Sequence, residues 1–103
     1  MNKEKYPKLH LPDWFDDICE FETPMRGFLD GAVVEMENGI RYQVYFVTPE
    51  RIIWELNKLV KFGKPFYTEI GLVVLPEVTV EKVREAIKFL DAEDFFQTLK
   101  PLE

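Results

Sequence analysis

The chain has 103 residues and a formal net charge of −6, with 47% apolar, 15% aromatic and 31% charged residues. That length suits one domain spanning residues 1–103, able to bury roughly 60–70% of the surface of its unfolded chain without staples. The apolar content excludes disorder, the net charge disfavours a general nucleic-acid coat, and a lone Cys19 excludes an internal disulfide.

One cysteine fits a reducing compartment. No apolar run approaches the ~20 residues of a membrane span, and MNKEKYPK lacks the apolar core of a secretory signal, so a cytoplasmic protein is expected. Charge is uneven. Residues 11–40 hold eight acids against Arg26 alone, whereas residues 41–64 hold five bases against two acids, a basic island in an acidic protein.

Residues 1–8 are mostly polar and charged and, with Pro7 and the nearby Pro12, make residues 1–10 read as a loose start. LPDWFDDICEFETP then reads as a short helix. Pro12 suits a first helical position, and Asp13, Asp16 and Asp17 suit a positive helix N-terminus. Either Trp14, Ile18 and Phe21 or Phe15, Ile18 and Cys19 face inward, and Pro24 ends the helix.

Residues 32–47, AVVEMENGIRYQVYFV, form the hairpin around which the chain is organised. Ala32, Val34 and Met36 share one side; Ile40, Tyr42, Val44 and Phe46 share one side after the turn. A two-residue Asn38-Gly39 turn would set Glu35 against Tyr42, joining an acidic face to an apolar one. A three-residue loop with Gly39 left-handed instead sets Val34 against Tyr42, Ala32 against Val44 and Glu35 against Arg41.

Thr48, Pro49 and Glu50 then form a helix start, and Ile52, Ile53, Leu56, Leu59 and Val60 recur as one stripe until Gly63 and Pro65 end it. PFYTEIGLVVLP reads as a third strand closed by Pro76. A further helix begins at Thr79, with Val78 and Val83 as a staple and Val80, Val83, Ile87 and Leu90 as its buried stripe. Asp91 caps a last short helix holding Phe95, Phe96 and Leu99.

The expected fold is α+β, (α)ββαβα, with helices packed on a three-stranded, mostly antiparallel sheet in the order 2-1-3. The helix of about 14 residues matches a strand in length, so the third strand can also run parallel to the second. Val33, Tyr45, Val47, Tyr67, Val73 and Leu75 make the sheet's other face too apolar to stand in water. The N-terminal segment with Trp14, Phe15 and Ile18, the C-terminal Phe95 and Phe96, or a second subunit must cover it.

No catalytic residue, cofactor or metal site is expected. The chain has no serine, and its glycines never form GxGxxG or GxxxxGK. One His and one Cys cannot make a zinc site, and the acids lack calcium-loop spacing. His10 and Cys19 form no expected nucleophilic pair, since the acids around Cys19 disfavour a thiolate. RYQVYFV is rich in rings, but Tyr42 and Phe46 fall on the core face, which counts against base stacking.

These exclusions, the excess of aromatics and the uneven charge lead to a non-catalytic protein-interaction module, an adaptor, inhibitor or immunity-type protein. Its partner is another protein or a second copy of the chain, with no membrane role; nucleic-acid binding through the basic island is the weaker third reading. The alternative is a small ligand-binding domain or enzyme with a pocket that no motif betrays. The expected binding residues are Trp54, Lys58, Lys61 and Arg51. Trp54 lies about 160° from the centre of its helix's apolar stripe, so it points away from the core. Lys58 and Lys61 follow on its side of the helix.

Overall fold

The structure, a computed structural model, describes residues 6–102. In chain order its elements are β1 (Lys8–His10), α1 (Asp17–Arg26), β2 (Phe28–Glu35), β3 (Arg41–Val47), α2 (Pro49–Lys61), β4 (Leu72–Val74) and α3 (Val80–Ala92), followed by a 3-10 turn, Phe95–Thr98. The α+β class holds, with four strands in the order β1-β2-β3-β4.

The hairpin follows the register that its alternation demands. Ala32 lies opposite Val44, Val34 opposite Tyr42 and Glu35 opposite Arg41. Gly39 takes φ 86°, its N–H donates to the Met36 carbonyl at 2.9 Å, and the Met36 N–H donates to the Ile40 carbonyl at 2.8 Å. β2 begins four residues before Ala32, its pairing shifted between Leu29 and Ala32.

Sheet order departs from 2-1-3. β4 runs parallel to β3, with Phe46 beside Val73, and the place beside β2 belongs to β1, where Leu9 pairs with Val34. The start of the chain is therefore not wholly loose: Lys8–His10 form an edge strand, while residues 1–5 of that expected loose stretch lie outside the described residues. β4 is also much shorter than the expected strand. Gly71, at φ 67°, breaks the extended backbone ahead of it, and residues 64–69 are irregular.

Two layers of side chains flank the sheet. On one face Ala32, Val34, Tyr42, Val44 and Phe46 pack with Val78, Val83 and Ile87 from the α3 side and with Phe96. Thr79 caps α3, its Oγ1 accepting from the Lys82 N–H at 3.0 Å. Asp91 is the exception to the sequence reading: it lies inside α3, and the 3-10 turn starts after Asp94 instead.

On the other face Tyr45 and Val47 are buried, and α2 flanks that face, with Arg51 over Phe28 and Arg51 and Glu55 sharing a cleft with Tyr45. The cover is thus α2, not Phe95 and Phe96, which belong to the α3 side. Register also moves Val73 and Leu75 to the α3 side, because Phe46 pairs with Val73 and both pack on the main core. Leu72 and Val74 take their place beside Tyr45 and Val47.

Glu35 ties β1 to the hairpin. Its Oε1 accepts from His10 Nε2 at 2.9 Å and from Arg41 Nη2 at 3.1 Å. The hydrogen bond from His10, and then Arg41, hold this carboxyl below the ordinary carboxylate range. A carboxylate lowered in the folded state stabilises it above that range and loses the contribution as pH falls through it. Glu35→Gln should therefore be less stable than the wild type near neutrality. The gap between their urea midpoints should shrink as pH falls through and below the ordinary carboxylate range, whereas a constant gap would show that the charge contributes nothing.

Candidate functional site

α2 is fixed at its start by Thr48, whose Oγ1 accepts from the Arg51 N–H at 3.3 Å. Ile52, Leu56 and Leu59 turn towards the sheet, but Ile53 and Val60, expected in the same stripe, are exposed. The helix is rotated so that Arg51 and Glu55 share the inward side. Arg51 sits over the Phe28 ring at 4.5 Å, and its Nη2 donates to Glu55 Oε1 at 2.9 Å.

Trp54 points away from the sheet, as its place on the helix requires, and is 51% exposed. Two cations bracket its ring: the Arg51 guanidinium at 4.3 Å and the Lys58 ammonium at 5.1 Å from the centroid. Such contacts contribute roughly 0.5–1 kcal/mol each where water has access. Arg51 is more clamp than free charge, since Nε is buried without a hydrogen-bond partner while the guanidinium joins Phe28, Trp54 and Glu55. Lys61, three residues beyond Lys58, is exposed near the end of α2.

α1 brings a part of this surface that the sequence reading turned inward. Asp16 is its N-cap, accepting from the Cys19 N–H at 2.9 Å, which lowers the Asp16 pKa. Pro24 does not end the helix. It falls in the last turn, where its missing N–H removes a single bond, and Gly27 stops the chain three residues later. Thr23 and Phe15 face the protein, while Ile18, Phe21 and Met25 are 66%, 78% and 83% exposed.

The two helices meet end to start. The Thr48 N–H donates to the Gly27 carbonyl at 2.8 Å, so the C-terminus of α1 adjoins the N-terminus of α2. Met25 and Trp54 line one groove of about 400 Å³ at this joint, with Pro24 and Pro76. Ile18, Phe21 and Met25 recur at helical spacing, so the α1 stripe leads into the groove and continues as Trp54. The spacing of Ile18 and Phe21 is legible in the sequence, but Met25 lies past the Pro24 expected to end the helix, and periodicity finds an amphipathic face without saying what covers it.

The two helices carry opposite charge away from the joint. Asp16, Asp17 and Glu20 stand at the outer end of α1, and Lys58, Lys61 and Lys64 at the outer end of α2. Between them Glu22 pairs with Arg26 and Glu55 with Arg51. The groove at the joint is itself mixed in character, since Arg26, Glu50 and Glu77 line it beside Met25 and Trp54.

A second concavity, about 530 Å³, opens between α2 and the sheet and is lined by Phe28, Asp30, Tyr45, Glu55, Tyr67 and Glu69, among others. Burial, and then a hydrogen bond to Tyr67, push the Tyr45 hydroxyl pKa up. The groups deepest in this cleft are engaged with each other, Arg51 with Glu55 and Tyr45 with Tyr67.

His10 and Cys19 are not brought into one site. His10 bonds Glu35, and the Cys19 thiol lies 3.7 Å from the Trp14 carbonyl oxygen. Among the described residues no three His, Cys, Asp or Glu side chains are grouped to hold a metal, and no helix is long and apolar enough to cross a membrane. No family model, curated protein or solved structure matches the chain.

Proposed function

We propose that this chain is a non-catalytic protein-interaction module of adaptor, inhibitor or immunity type, a single cytoplasmic domain that works by occupying a partner's surface. The observation that carries the reading is the apolar strip of Ile18, Phe21, Met25 and Trp54, exposed across the α1–α2 joint. Exposed apolar side chains are ordinary singly, but a contiguous strip ending in an aromatic anchor costs solubility unless something docks on it. Lys58 and Arg51 hold the Trp54 ring in place before any partner arrives, which reduces the entropy lost on binding.

The double variant Met25→Ser with Trp54→Ala tests this. Met25 is exposed and Trp54 half exposed with two cation–π contacts, so the fold should lose no more than about 2 kcal/mol and stay cooperatively folded at the temperature of the assay. Capture of the wild-type protein's partner should fall at least tenfold, as expected for loss of an anchor worth about 1.4 kcal/mol or more. Undiminished capture by a folded variant would overturn the reading.

The α2 cleft favours a second reading, a small-ligand domain, because Asp30, Glu55 and Glu69 converge there with aromatic rings. Its ligand would be cationic or rich in hydroxyls, and a shift of Tyr45 and Tyr67 resonances on titration with such compounds would support it.

A further inference from the structure

The cleft between α2 and the sheet holds more negative charge than its own residues neutralise. We propose that it is a binding site for an organic cation, an alkylammonium or guanidinium group held between the aromatic wall of the cleft and the carboxylates of Asp30 and Glu69. This deepens the small-ligand reading of the cleft by naming the class of its ligand, and it rests on that reading.

Three carboxylates, Asp30, Glu55 and Glu69, line the cleft beside one cation, Arg51. Arg51 is already committed. Its Nη2 donates to Glu55 Oε1 at 2.9 Å, and its guanidinium lies 4.5 Å from the Phe28 centroid and 4.3 Å from that of Trp54. Among the described residues neither Asp30 nor Glu69 is in an ion pair. The Glu69 carboxylate accepts from the adjacent Ile70 N–H at 3.3 Å, which leaves its charge unopposed. Burial, and then its hydrogen bond with Tyr67, push the Tyr45 hydroxyl pKa up, so that group is neutral and offsets nothing. One cation against three carboxylates leaves two negative charges over.

The arrangement of these groups decides which cation answers them. Asp30 comes from β2 and Glu69 from the segment before β4, with β3 between them in the sheet. Among the described residues no three His, Cys, Asp or Glu side chains are grouped to hold a metal ion, so these acids do not make a coordination shell. A volume of about 530 Å³ falls within the ~300–1,000 Å³ of small-molecule sites and far exceeds a bare ion. The charge must therefore arrive on a larger group, with carbon to fill the space beside Phe28, Tyr45 and Tyr67.

A polyol answers the site less well. Its hydroxyls can bond carboxylates but bring no charge, so seating one would take two unpaired anions partly out of water. Arg51 shows the geometry that the cleft already accepts, a guanidinium over an aromatic ring with a carboxylate at its Nη2. The ligand repeats that arrangement with Asp30 or Glu69 as the carboxylate.

NMR titration of the isotope-labelled full chain tests the class of ligand. Agmatine, which carries a guanidinium and an ammonium group, is expected to shift the Tyr45 and Tyr67 ring signals and the Gln43 side-chain amide saturably, and to bind at least tenfold more tightly than glucose or magnesium chloride. Arginine capped as an amide at both ends separates two sources of the same chemistry. Tighter binding of capped arginine than of agmatine assigns the cation to a peptide side chain, and the reverse order assigns it to a free amine; both support the proposal. Asp30→Asn with Glu69→Gln changes two exposed residues without ion pairs, so it should keep the melting temperature and bind agmatine at least tenfold more weakly. Glu37→Gln with Glu81→Gln removes the same charge outside the cleft and should leave the affinity within about twofold, which separates a site from the general pull of a net charge of −6 on cations. Equal weakening in the two double variants overturns the proposal. Glucose or magnesium chloride binding in the cleft as tightly as agmatine overturns the organic cation and leaves a small-ligand cleft standing. No saturable shift with any probe removes both.

Discussion

Replacing Gly71 by alanine should destabilise the fold by about 3 kcal/mol or more and lower the melting temperature by ~15 °C. Two independent costs meet at this residue. Its φ of 67° lies where a Cβ is strained, and a Cβ there would stand 2.3 Å from the Gln43 carbonyl oxygen and 3.1 Å from the Val44 Cα. Neither atom can yield. They belong to the backbone of β3, held on its other side by β2. Gly71 itself is pinned, because its carbonyl accepts from the Tyr45 N–H at 2.9 Å. Relief would therefore require β4 to leave the sheet, exposing Val73 and Leu75. Gly39 separates the two costs: it has a similar φ of 86°, with nothing within 4 Å of its missing Cβ. Gly39→Val should lose only ~1 kcal/mol, the conformational part alone. Equal losses at both sites in urea titrations would show that the close approach to β3 does not matter.

The same contrast shows where sequence reading succeeds and where it stops. The turn at Gly39 was legible because Glu35 and Arg41, Val34 and Tyr42 had to fall on matching faces, a constraint contained within sixteen residues. Thr48 and Thr79 were legible because a cap, an acid in the first turn and an apolar stripe are local chemistry. Gly71 carried no such sign: its tightness arises from β3, some 28 residues earlier in the sequence. Sheet order failed for a related reason. β1 has three residues and no alternation long enough to announce a strand, yet it occupies the edge that the 2-1-3 order reserved for the third strand.

The candidate site divides in the same way. Trp54 and Lys58 were found from helical periodicity, because residues four apart share a face wherever the helix packs. Arg51 was named as one charge among several, but its role between Phe28, Trp54 and Glu55 depends on β2 lying beneath α2. Ile18 and Phe21 have the spacing of a core stripe, which predicts an inward face, and Met25 falls beyond the Pro24 expected to end the helix. Thr23 faces inward instead, its hydroxyl donating to the Cys19 carbonyl at 2.6 Å, and this reverses the side on which the large residues stand. A buried threonine with its hydroxyl satisfied inside its own helix carries no sequence signature.

Phe96→Ala should cost ~3–5 kcal/mol, the second large loss expected in this protein, although the residue lies only seven positions from the end of the chain. Phe96 is 2% exposed and packs in the main core, with its ring centroid 5.9 Å from Tyr42 and 5.6 Å from Phe95. It is delivered there by the 3-10 turn after α3, so its loss leaves a cavity against β3 and frees the turn that carries it. The Leu102 N–H donates to the Arg41 carbonyl at 2.8 Å, fastening the chain to the half of β3 that β4 does not reach. Anchor and fastening should act together. In Phe96→Ala the Leu102 amide should lose its protection from hydrogen exchange at a free energy well below that of global unfolding. Phe89→Ala, which removes an equal ring from the exposed side of α3, should stay within ~0.5 kcal/mol of wild type. A loss below ~1 kcal/mol at Phe96 would mean that the C-terminal segment only rests on the core, and α3 alone would then have to account for the burial of Tyr42.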